Sequence, residues 1–287
     1  MLCGKEVSIL GLGTGRLASL GAGYNRKQAA DCLHLAAEHG INLIDTADSY
    51  GSGDCERLLG QLLSETRHPF LISTKAGYTY CRLPALLSPL NQVGKKILHK
   101  LGQRQCFQPA VIRKNLERSL RRLRRDRVDF FFLHDPTPEA LGDQKLLAEI
   151  LRAKQEGKIG HAGISISSAF GLPTSRDHPL ACLIQTQVNP WSQKTIEIPN
   201  REVVANHVFG AENLARDQDL VRQVAAEEGM TIRQLLVAYA ANQAGVRAVL
   251  VGTGRAEHLR ENLGGVKKKL SPHSLQKLEK LGQARGV

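Results

Sequence analysis

Short apolar runs alternate with amphipathic helical stretches along the whole chain. Residues 7–13, VSILGLG, have the composition of a buried strand that ends in a glycine turn. Asn25 stands where it would cap a helix running to His39; Ala29, Ala30, Leu33, Ala36 and Ala37 share one side of that helix, and Gly40 stops it. Residues 41–45 predict a second strand, 54–64 a second helix and 70–75 a third strand. Pro109 opens a helix that reaches Leu123, a place where the missing proline N–H costs nothing. Residues 128–134, VDFFFLH, are apolar on both faces, as a buried parallel strand should be. A helix over 139–156 follows, closed by Gly157, and then strands at 158–165, 182–187 and 203–207. Helical patterns occupy 219–228 and 231–244, residues 248–251 form the eighth strand, and helices at 256–263 and after Pro272 finish the chain. Two stretches interrupt the rhythm. One is a leucine-rich insertion at 76–108; the other is 167–179, where Gly171, Pro173 and Pro179 shorten or remove the helix.

Eight strands, each followed by a helical segment, predict a closed parallel (β/α)8 TIM barrel. No linker divides residues 1–287, so one barrel domain is expected, and a length of 287 residues suits it. An open, doubly wound sheet shares the same alternation and is the alternative on pattern alone.

Composition narrows the function classes. The net charge of +12 raises the question of a polyanion partner. Much of the excess lies in residues 118–127, SLRRLRRD flanked by Arg118 and Arg127, where Leu116, Leu120 and Leu123 keep a helical apolar stripe. The arginines then fall mainly on a solvated outer face, with a true polyanion site as the lesser alternative. No aromatic residue is interleaved with them to stack on bases, so no nucleic-acid partner is expected. The positive balance suits anionic small molecules, a phosphorylated cofactor among them. The six cysteines are scattered without metal-ligand spacing, which points to reduced thiols and a cytoplasmic setting. The start of the chain lacks the pattern of a signal peptide, and no apolar run is long enough to span a membrane. A monomer is the default expectation.

A barrel gathers its chemistry at the carboxyl ends of its strands. Asp45 ends the second predicted strand, with Tyr50 in the loop beyond; Lys75 ends the third and His134 the fourth. A free phenol is a poor acid at neutral pH, and an adjacent ammonium is expected to bring it closer to working range. Asp45 would hold Lys75, and His134 would orient a carbonyl or share a proton with Tyr50. Such a site places charge on an oxygen while hydride arrives from elsewhere.

These segments carry a family resemblance. Residues 40–51 (GINLIDTADSYG), 72–75 (ISTK) and Leu133-His134 resemble the catalytic segments of the aldo-keto reductases. The resemblance continues through residues 119–123, 156–158, 163–165, 187–189, 251–253 and Glu261-Asn262, and so covers almost the whole chain in order. It implies an NADPH-dependent carbonyl reductase acting on a small-molecule aldehyde or ketone, with Tyr50, Lys75, Asp45 and His134 as a tetrad. It assigns the first cofactor turn to Gly13, Thr14 and Arg16, and the carboxamide to Ser165 and Gln187. The segment after the seventh strand contributes Asn206, His207 and Phe209, and the adenosine end goes to Gly252, Thr253, Arg255, Glu261 and Asn262. Tyr24, Tyr78, Phe107 and Trp191 are candidate walls of the substrate pocket. Three positions depart from the family pattern: Ile166 where asparagine is usual, Asn206 where an aromatic often stacks, and His258 where a basic residue often meets the 2′-phosphate. Arg255 is then the candidate for that phosphate. A cofactor-binding regulatory protein of the same fold, with little turnover, is the competing expectation.

Overall fold

The computed structural model describes residues 1–17, 26–79, 105–167, 178–192 and 201–283. Eight strands close into a parallel barrel in sequence order. They are β1 (Leu10–Gly13), β2 (Leu43–Asp45), β3 (Leu71–Ala76), β4 (Val128–His134), β5 (Ile159–Ile166), β6 (Leu183–Gln187), β7 (Glu202–Asn206) and β8 (Val246–Gly252). The ring is sealed where β1 pairs with β8, Gly13 lying level with Gly252. This closed ring excludes the open doubly wound sheet.

The helices of the described residues are α1 (Arg26–Glu38), α2 (Asp54–Leu63), α3 (Pro109–Leu123), α4 (Pro138–Gly142), α5 (Gln144–Gln155), α6 (Ala211–Leu214), α7 (Gln218–Glu227), α8 (Ile232–Ala241), α9 (Ala256–Val266) and α10 (Pro272–Gln283). Local chemistry sets their ends. Gly40 takes φ 69° just past α1, acids Asp54 and Glu56 open α2, and a reciprocal Thr231–Gln234 capping box starts α8.

Three boundaries differ from the sequence pattern for visible reasons. The strand expected from Val7 begins at Leu10, and the one expected from Ile41 begins at Leu43. There Ser8 and Asn42 bond each other's backbone N–H through their side chains (2.8 and 3.0 Å), replacing the ladder. The single helix expected over 139–156 is two, because Asp143 takes an extended conformation and caps α5 through the Lys145 N–H. Asn25 and most of the two interrupting stretches lie outside the described residues.

Strand alternation separates two environments. One set of side chains, including Leu43, Phe130, Phe132, Leu183, Val204, Ala248 and Leu250, fills the barrel interior with Leu2. The alternate set packs outward against the helices in the larger core. The inward positions nearest the carboxyl ends are polar: Asp45, Ser73, Lys75, His134, Ser165, Gln185 and Asn206. The fold therefore stands a site on an apolar plug.

Candidate active site

Asp45 is the hub of the buried polar layer. Its Oδ2 accepts from Lys75 Nζ at 2.6 Å, and its Oδ1 accepts from Ser73 Oγ and Gln185 Nε2, both at 2.8 Å. Lys75 is 1% exposed and also donates to the Thr46 carbonyl at 2.8 Å. An ion pair so deeply desolvated holds only where the geometry is this complete. The Gln185 Oε1 in turn accepts from Ser165 Oγ at 2.9 Å, with the Asn206 amide at 3.5 Å.

Tyr50 heads a tight turn, Tyr50–Gly53, between β2 and α2. The Lys75 ammonium lies 5.1 Å from the centre of its ring. That ammonium is the strongest single influence on the phenol and lowers its pKa, but burial and Asp45 together outweigh it. The net direction is upward, which corrects the expectation that Lys75 brings the phenol toward neutrality. Tyr50 therefore holds its proton throughout the neutral range.

His134 closes the group. Its ring meets Tyr50 edge-on at 6.4 Å and Tyr78 edge-on at 4.7 Å. Burial above all, then Lys75, push its pKa down to about 3; Asp135 pulls the other way, and His207 adds a smaller push downward. The imidazole is neutral, and its Nδ1 is buried without a partner among the described residues. Tyr78 gives its hydroxyl to Asp135 at 2.5 Å, and burial followed by that carboxylate raises its pKa. Phe107 packs beside Gly77, where a Cβ would stand 2.6 Å from its ring.

A cleft of about 510 Å³ runs from this cluster across the strand ends of β1, β7 and β8. Gly13, Thr14, Arg16, Asp45, Tyr50, Asn206, His207, Phe209 and Gly252 are among the residues that line it. Ser165 is not among the lining residues; its hydroxyl donates to Gln185, which is. Thr253 bonds the Arg255 backbone N–H at 3.0 Å, shaping the turn into α9. The Arg255 side chain is exposed beside Glu257, and Glu261 accepts from the Thr231 hydroxyl at 2.7 Å. Asn262 is 1% exposed, yet neither amide atom has a protein partner among the described residues. Of the departures, Ile166 faces the outer core, Asn206 lines the cleft, and His258 sits near Glu257.

Other positions land elsewhere. Gln187 spends its amide on the Ser167 carbonyl at the rim, and Trp191 is not among the residues lining the cleft. The indole is buried in a second apolar cluster with α7 and α8, donating to Asp217 at 2.7 Å. Gly210 lies so close that a Cβ would approach the indole to 2.6 Å. Tyr24 lies outside the described residues. Two cleft residues with polar or charged side chains went unnoticed in the sequence. Gln185 is the amide that meets Asp45, and its signal was strand parity. Arg233 stands over the Phe209 ring at 5.3 Å, 3.7 Å from Glu261; its helical pattern gave no hint of a cleft.

A family model described as the aldo/keto reductase family matches residues 9–198 and 188–283. Over 289 aligned residues the chain is 26% identical to the uncharacterised oxidoreductase YqkF of Bacillus subtilis, covering 90% of this chain and 87% of that one. The fold matches the glycerol dehydrogenase AKR11B4 of Gluconobacter oxydans with a TM-score of 0.80 at 22% identity, over 100% of this chain and 95% of the other. It matches the aldo-keto reductase AKR11C1 of Bacillus halodurans with a TM-score of 0.76 at 22% identity, over 96% and 92%.

Proposed function

The chain belongs to the aldo/keto reductase family of oxidoreductases, and from that premise we propose that it reduces an aldehyde or ketone to the alcohol, or runs the reverse, with NADPH and with Tyr50 as proton donor. The observation that carries this reading is the buried Asp45–Lys75 pair set against the Tyr50 ring, with a neutral His134 edge-on to it.

The residues present fit a dinucleotide. Gly13 and Gly252 leave one wall of the cleft free of side chains, and Asn206, His207 and Phe209 line the wall toward β7. Arg16 and Arg233 bring positive charge into the cleft, and Arg255 at the start of α9 is the candidate for the 2′-phosphate. The buried, unbonded amide of Asn262 suits a heteroaromatic ring with both donors and acceptors. A bound nicotinamide cofactor supplies the hydride that reaches the carbonyl carbon.

The protein's own part is played at the carbonyl oxygen. As negative charge develops there, Tyr50 donates its hydroxyl proton. The phenolate left behind is stabilised by the Lys75 ammonium, which Asp45 and the Thr46 carbonyl hold in place. His134 is neutral, so it orients the oxygen through a ring N–H and is not the acid. The apolar plug below and the packed walls keep water from competing for the charge. In the reverse direction the same phenol, once deprotonated, serves as base. A small-molecule carbonyl substrate, the cytoplasm as location and a monomeric state complete the reading. Cys3, Cys32, Cys106 and Cys182 are free thiols, and no helix among the described residues is long and apolar enough to cross a membrane.

The test is Tyr50→Phe. General-acid catalysis contributes about 10²- to 10⁴-fold, so turnover should fall by at least that order, with NADPH affinity within about twofold of wild type. Full activity in that variant removes Tyr50 from the mechanism.

A further inference from the structure

Outside the catalytic cleft, α2 and α3 form a second concavity of about 270 Å³ that shares no lining residue with it. Arg57 and Gln61 come from α2, Arg118, Arg121 and Arg122 from α3, and Arg124 from the residue that ends α3. Five of the six lining residues are arginine.

The charges do not cancel. Arg57 pairs with Asp54 at 2.6 Å and Arg122 with Glu56 at 2.7 Å. Arg118, Arg121 and Arg124 carry no ion pair among the described residues. The Gln61 Oε1 accepts from Arg26 at 3.1 Å, which leaves its amide hydrogens for a ligand. The lining thus offers donors almost alone, a composition that suits an anion.

Helix architecture accounts for part of it: a helix C-terminus favours cations, and Arg121 and Arg122 lie in the last turn of α3. Arg118 lies before that turn and is not explained by it. Arg124 occupies the left-handed stop of the helix at φ 54°, ψ 45°, where glycine is relaxed and any residue with a Cβ carries some strain. The helix stop alone would be better served by glycine. An adjoining concavity shares Arg121 and Arg124 but is also lined by Glu117, Asp126 and Glu156. Those acids interrupt the basic surface, and no aromatic lines either concavity, so an extended nucleic-acid track does not fit.

We infer that the α2–α3 arginine cleft is a binding site for a compact, multiply charged phosphate anion, held by Arg118, Arg121 and Arg124 with Gln61. Guanidinium forks match phosphate oxygens two at a time, and the volume suits a chain of two or three phosphates.

Inorganic triphosphate, titrated calorimetrically against the full chain at low ionic strength, is the probe. Wild type should bind it, and Arg118→Ser/Arg121→Ser/Arg124→Gly should bind at least tenfold more weakly, while Arg16→Ser/Arg233→Ser in the catalytic cleft retains wild-type affinity for this site. Arg124→Gly alone separates ligand binding from helix capping: melting temperature should hold or rise while affinity falls several-fold. The inference is overturned if wild type binds no triphosphate, or if the triple variant binds as tightly as wild type. It is also overturned if Arg124→Gly melts earlier with affinity unchanged, or if only single-stranded RNA binds.

Discussion

Tyr50 and His134 show how one buried layer sets two proton affinities in opposite senses. Because Tyr50 is raised above the ordinary tyrosine value, the acid form is present at every pH below about 10. Reduction should therefore stay level from pH 6 to 9 and fall only beyond that range, while alcohol oxidation, which needs the phenolate, should climb with pH. Steady-state rates in both directions across pH 6–10.5 check this; a reduction rate that halves near neutrality would contradict it. For His134 the folded value is about 3, against about 6.5 in an unfolded chain. Below pH 6.5 the unfolded state binds the extra proton, so the stability that neutral His134 provides is present above that pH and lost as pH falls toward 3. Between pH 7 and pH 5 this is worth on the order of 2 kcal/mol. His134→Gln should lose that much less over the same interval in urea unfolding, and parallel curves for the two proteins would refute the assignment. At this scale the sequence was largely legible: the four tetrad side chains sit at or just beyond strand ends, and the fold brings them together. Gln185 was harder. It shares parity with Gln187, and only the stagger that sets Ser165 level with Gln185 decides which amide meets Asp45. Stagger follows from barrel closure, not from any one strand.

Between elements, a second buried network ties α2 and α3 to β3. The Glu56 carboxylate, fully buried, accepts from Thr74 Oγ1 at 2.6 Å and from Arg122 Nε at 2.7 Å. Arg122 is thus an exception to the expectation that its neighbours fill a solvated face. Thr74 precedes Lys75, and the Arg122 side chain also packs on Gly53 at the end of the Tyr50 turn. The two helices can approach because Gly60 has no side chain: a Cβ there would lie 2.1 Å from the Arg122 carbonyl oxygen. Removing one partner of such a pair leaves a buried charge, at a cost of about 3–5 kcal/mol. Arg122→Met should destabilise by that order in urea unfolding, and Arg122→Met/Glu56→Leu should recover much of the loss. A single variant of wild-type stability would show that the pair holds nothing. Amphipathic periodicity hid this arginine, since it lies beside a run of exposed ones and only helix–helix packing singles it out. The same limit hid Arg233, which enters the cleft because the N-terminus of α8 abuts the segment after β7.

For the whole molecule, eight polar inward positions or loop residues matter only because the barrel closes. Strand alternation and helix punctuation made that ring readable, and the inward residues change from apolar to polar along the strands toward one end. That gradient separates an apolar plug from the polar layer above it, and the family model matches most of the chain. The most direct measurement is fluorescence titration of the full chain with NADPH and NADH, followed by NADPH consumption against a panel of aldehydes and ketones. The account predicts saturable binding that favours NADPH and at least one carbonyl compound reduced with matching cofactor oxidation. Failure to bind either nicotinamide would contradict it, leaving the barrel in place without the chemistry proposed for it.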